Sequence, residues 1–193
     1  MGVTIRPSST ALAAAARAMV TQRDTIVSQW EAWTVSRLPT LSAIQHNNVS
    51  RQLRLLFDIL ATLTGPTRRR ANELWLEACE WYGRTGPARG LATGEIVEEF
   101  HYLRELLIRE LADTIAALPA RQSLATVLRL NRELDHGVAH AVVGYTDALV
   151  ETLLNKRGVP VGDDENAEGE TANRLDQWED ELAQLRVDPE NWT

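Results

Sequence analysis

At 193 residues, 44% hydrophobic and 24% charged, the chain is long enough for one domain with its own core and is composed like a globular protein. Its net charge of -7 argues against a nucleic-acid partner, and the charge segregation makes this stronger: residues 159–170 hold Asp163, Asp164, Glu165, Glu168 and Glu170 with no base. The single cysteine, Cys79, excludes an internal disulfide and fits a reducing compartment, and no apolar run approaches eighteen residues, so the expectation is a cytoplasmic chain without membrane insertion.

Alternation of β-branched residues is nearly absent, whereas i, i+3, i+4, i+7 spacing recurs throughout. This predicts an all-α fold, an antiparallel bundle of about five helices over residues 1–158. An acidic flexible linker at 159–170 and an amphipathic C-terminal helix and tail at 171–193 follow.

The first helix is predicted over Thr10 to Leu38, with Met19, Ile26, Trp30 and Trp33 inward and Pro39 closing it. The Ala-rich run Ala11–Ala16 is not a secretion signal, because Arg17 and Arg23 interrupt it within one amphipathic pattern. A second helix spans Leu41 to Thr64, with Val49, Leu53, Leu56, Ile59, Leu60 and Leu63 on one face and Gly65-Pro66 as the stop. A third, Thr67 to Tyr82, carries Leu74, Trp75, Ala78 and Trp81; Arg68, Arg69 and Arg70 read as its solvated start or as a docking patch.

Gly83 to Gly90 reads as a loop. Thr93 is the expected N-cap of a fourth helix reaching Leu118, striped by Ile96, Phe100, Leu103, Leu107 and Leu111. The fifth and longest, Arg121 to Lys156, lines up Leu130, Leu134, Val138, Ala141, Tyr145 and Leu149. The short helix from Thr171 to Arg186 gathers Leu175, Trp178, Leu182 and Leu185 on one side. Too short to persist alone in water, it must dock, on its own bundle or on a partner.

Two motifs carry more. Glu98-Glu99-Phe100-His101-Tyr102-Leu103-Arg104 and Asn131-Arg132-Glu133-Leu134-Asp135-His136-Gly137-Val138-Ala139 each set charges beside an apolar stripe. Through Glu99, Phe100, Leu103 and Arg104, then Asn131, Asp135, Ala139 and Tyr145, segments 95–111 and 128–147 resemble the two signature helices of RsbRD-type N-terminal sensor domains, the stressosome co-antagonists, similar to domains that precede many bacterial histidine kinases. The resemblance covers residues 20–155. It implies a distantly globin-like helical bundle, usually without haem, that dimerises and passes a signal to a C-terminal output domain. No such output domain follows here, so the expectation is a freestanding module.

A charge on an apolar stripe is costly to bury unpaired. The expectation is therefore a cross-helix ion pair between Arg104 and Asp135, supported by Glu99 and Asn131, whose removal would cost about 3–5 kcal/mol if buried. Such a network fixes helix register more readily than it carries chemistry.

His136 and His140 have the i, i+4 spacing of zinc ligands, with His101 or Cys79 as a conceivable third, but the glutamate of a metalloprotease motif is missing. His101 is also the best haem-ligand candidate. Neither cofactor is expected; two surface histidines are the simpler reading. Arg84, Arg89 and Thr93, around a glycine-rich loop ahead of a helix, form a candidate anion site, although no Gly-Lys-Ser/Thr follows and a plain extended turn is the simpler reading. No nucleophile motif occurs, so catalysis is not expected.

The expected function is a non-enzymatic sensory or regulatory module, a homodimer that relays a signal by protein–protein interaction, with Leu175, Trp178, Leu182 and Leu185 as the docking helix. Two alternatives differ in what they require. A small-molecule, metal or haem sensor needs a cavity near Trp75, Trp81 or His101; an adaptor or scaffold needs a large apolar dimer face.

Overall fold

In the computed structural model, residues 6–38, 42–65, 69–154 and 165–185 are described, and all of their regular structure is helical. The helices are α1 (Ser9–Thr21), α2 (Arg23–Arg37), α3 (Ala43–Thr64), α4 (Arg69–Arg84), α5 (Thr93–Glu110), α6 (Ala112–Ala116), α7 (Ala120–Leu154) and α8 (Glu165–Leu185), with a 3-10 turn at Pro87–Arg89. Asp163, Asp164, Lys156 and Arg186 lie outside the described residues, as do Pro39, Leu41, Pro66 and Arg68.

The ends of the helices follow local chemistry. The Ser8 hydroxyl accepts from the Ala11 amide at 3.2 Å and starts α1. Ser42 and Gln45 form a reciprocal cap on α3, at 3.1 and 3.0 Å. The predicted first helix is in fact two. Thr21 donates its hydroxyl back to the Arg17 carbonyl at 3.0 Å, a bond that bends helices, and the chain turns at Gln22. The predicted fourth helix breaks at Leu111, and no turn residue marks the place.

Phe100 is the centre of the core. It meets Trp30, Trp75 and Tyr82 edge to face at 6.4, 6.2 and 5.9 Å. The two buried indoles donate to main-chain carbonyls, Trp30 to Glu99 at 3.0 Å and Trp75 to Glu133 at 2.9 Å, so the aromatic centre leaves neither donor unsatisfied. Trp33, expected inward, lies at the edge of the core, stacked on Tyr102 at 4.8 Å under the Arg37 guanidinium.

Helix directions follow from paired residues. Arg23–Asp58 and Glu31–Ser50 run α2 against α3; Tyr145–Leu91 and Arg104–Asp135 run α5 against α7. α4 and α7 run the same way, with Trp75 against Glu133 and Arg84 against Glu151. Their backbones nearly touch. A Cβ on Gly83 would lie 1.8 Å from the Ala141 carbonyl oxygen, and one on Gly144 1.9 Å from that of Glu80. Only glycine permits this approach, which draws the loop after α4 against the C-terminal half of α7.

Candidate functional site

Gly90 takes φ 76°, a left-handed conformation that closes the 3-10 turn and sends Arg89 inward. Arg89 is buried, its guanidinium 4.1 Å over the Tyr82 ring. Nη2 donates to the Tyr82 carbonyl at 3.1 Å, and Nη1 lies 3.8 Å from the Glu99 carboxylate. The Tyr82 hydroxyl donates to the same carboxylate at 2.6 Å. Burial pushes the Glu99 pKa above its ordinary value, against the opposing pull of Arg89 and the Tyr82 hydroxyl. Burial likewise raises the Tyr82 phenol.

The candidate anion loop is thereby changed. Arg89 is turned into the core toward Glu99, and Arg84 is paired with Glu151 across the α4–α7 crossing. The charge of each guanidinium is thus met within the chain, although Arg89 Nε and Nη1 have no hydrogen-bond partner among the described residues. Thr93 is the first residue of α5 rather than its cap; the position before it, Ala92, donates its amide to the Glu95 carboxylate at 2.7 Å.

Arg104 and Asp135 are in contact across α5 and α7, and Asn131 lines the crevice beside them. The side chains keep 26% and 63% of their accessible surface, so the burial on which a large cost depends is absent. Glu99 is not part of this contact. It lies five positions from Arg104, about 140° around a helix, and faces the core.

The histidines stay apart. His101 and His136 are exposed, and His140 sits beside Glu80, Nδ1 to carboxylate 3.5 Å. Cys79 is fully buried, and burial raises its thiol pKa. Among the described residues no group of three His, Cys, Asp or Glu side chains is placed to hold a metal ion.

The C-terminal helix begins earlier than expected, so residues 165–170 of the presumed linker form its first turns. It docks on its own bundle. Leu175, Trp178 and Leu182 are buried and Leu185 half-buried against the core. Trp178 meets Trp81 at 6.4 Å, with the Arg174 guanidinium over both rings. Arg51 reaches Asp176 at 2.7 Å and Glu179 at 2.8 Å, and Arg70 reaches Glu181 at 2.5 Å.

One feature of α7 was not anticipated. Its outward side repeats Leu124, Leu128, Arg132, Asp135, Ala139, Val143, Thr146, Val150 and Leu153 at steps of three and four, every one of them exposed. Leu124, Leu128, Val143 and Val150 each leave close to half their surface in solvent. The helix is thus apolar on two faces, one packed on α4 and α5 and the other open. The same steps stand in the sequence, where the stronger apolar periodicity of the inward face hides them.

The family model described as the RsbT co-antagonist protein rsbRD N-terminal domain matches residues 24–158, about seven tenths of the chain. No curated protein and no solved structure matches. The matched span holds α2, but for its first residue Arg23, through α7; α1 and α8 lie outside it. Among the described residues, no helix is long and apolar enough to cross a membrane.

Proposed function

The chain belongs to the rsbRD N-terminal domain family, a family of regulatory signalling domains, and on that premise we propose that it is a non-enzymatic sensory module that works as a homodimer through the outward stripe of α7. The stripe is the observation that carries this reading. Four large aliphatic side chains, half exposed on one face of a 35-residue helix, are an unfavourable thing to leave in water and a self-complementary surface for a second copy. Arg132 and Asp135 among them give the seam polar points that fix its register.

In this reading a signal alters how the two bundles meet, and a partner signalling protein reads the change. The docking helix expected from the sequence is engaged in cis, so a partner using Leu175, Trp178, Leu182 and Leu185 must first displace α8; the open bundle surface is the simpler route. The family description names a co-antagonist of RsbT, and an equivalent role for this chain is part of the proposal.

Ala139 lies midway along the stripe, so it faces its own copy whether the two helices run parallel or antiparallel about that midpoint. The native thiol is buried and unreactive. Ala139→Cys is expected to give a disulfide-linked dimer under mild oxidation, where the native chain gives none. A variant that stays monomeric with a freely titratable new thiol refutes dimerisation through this face.

A further inference from the structure

A cleft of about 320 Å3, within the range of small-molecule sites, opens between α3, the end of α4 with its 3-10 turn, the C-terminal half of α7 and the first turns of α8. Val49, Pro87, Ala88, Ala148 and the Trp81 ring give it an apolar lining. Into that lining α3 sends three carboxamides, Gln45, Asn48 and Gln52, spaced so that they share one helix face. Gln45 is spent on the Ser42 cap, and Asn48 reaches the Glu168 carbonyl at a long 3.5 Å.

Several other donors at the cleft have no acceptor among the described residues. Gln52 is 4% exposed, and its Nε2 has no hydrogen-bond partner among the described residues; Trp81 Nε1 and Arg89 Nε and Nη1 have none either. All three residues line this cleft. A buried donor left unpaired is costly, so a group of them at one cleft asks for an acceptor.

Charge narrows its nature. Arg84 is paired with Glu151, and the charge of Arg89 is met by Glu99. Glu168 and Glu170 also line the cleft, from α8. Among the described residues that line the cleft, a carboxylate or phosphate finds no unpaired cation and is repelled by these glutamates, while an ammonium brings no acceptor for the donors.

We propose that this cleft binds an uncharged small molecule with a flat apolar body and a carboxamide or similar carbonyl group, whose oxygen accepts from Gln52 and Trp81. The site goes beyond the protein-contact reading and stands without the dimer. Because Glu168, Glu170 and Thr171 of α8 line it, occupancy favours the docked position of that helix, which couples a soluble molecule to the C-terminal end of the chain.

The test is a titration of the full chain, followed by the indole N–H resonance of Trp81 (assigned with Trp81→Phe), with benzamide, nicotinamide and indole-3-acetamide. Each is paired with its acid: benzoate, nicotinate and indole-3-acetate. At least one amide is expected to shift the resonance saturably, with its acid binding at least tenfold more weakly. Gln52→Leu is expected to weaken that amide tenfold or more without lowering the melting temperature. Binding of no amide, as when water alone satisfies the donors, overturns the proposal. So does equal or tighter binding of the acids, or an affinity unchanged by Gln52→Leu. Should the variant not fold, the amide–acid comparison on the native chain decides.

Discussion

Glu99 and Arg104 sit five positions apart on α5, and their surroundings set opposite costs. Glu99 is the counter-charge of a guanidinium that has almost no contact with water. Glu99→Ala leaves Arg89 buried and uncompensated and removes the acceptor of the Tyr82 hydroxyl; the expected loss in urea unfolding is about 3–5 kcal/mol. Adding Arg89→Met to that variant should restore part of it, since the stranded charge is then gone. Arg104→Ala removes a half-exposed pair and should cost less than about 1 kcal/mol in the same assay. A reversed order of these two losses contradicts the assignment. The motif that carries the family resemblance therefore contains one residue that holds the core and another that joins helix surfaces. Spacing alone does not separate them, because Arg89 turns inward only through the left-handed Gly90, a loop feature with no periodic signal.

Among the elements, those whose burial follows from their own periodicity were legible. α3 buries every residue of its predicted stripe, and α5 buries Ile96, Phe100, Leu103 and Leu107, with Leu111 buried at the break that ends it. What long-range contact decides was not legible. Gly83 reads from the sequence as the start of a loop and Gly144 carries no periodic signal; only the two backbones set against each other show what these glycines permit. The second face of α7 was masked by its first. For α8 the sequence left docking in cis or in trans open, and Trp178 settles against Trp81 of the same chain. Trp178→Ala should release that helix: hydrogen exchange over residues 168–185 is expected to rise at least tenfold, while α3 and α5 keep their protection. Unchanged protection of α8 would show that its charged contacts to Arg51 and Arg70, not the indole, hold it in place.

At the scale of the whole molecule, α2 to α7 make the bundle of the family, and α8 is laid over α3 and α4 from outside the matched span. The bundle spends its inner surfaces on itself, around Phe100, and leaves one long apolar stripe facing outward. A regulatory module needs such a surface, because a signal can be passed on only through contacts that differ between two states. Sedimentation velocity on the native chain and on the Leu128→Glu, Val143→Glu double variant tests this most directly. A dimer is expected for the native chain and a folded monomer, with unchanged helical content, for the variant. A native chain that sediments as a monomer at every concentration, or a variant that remains a dimer, contradicts it.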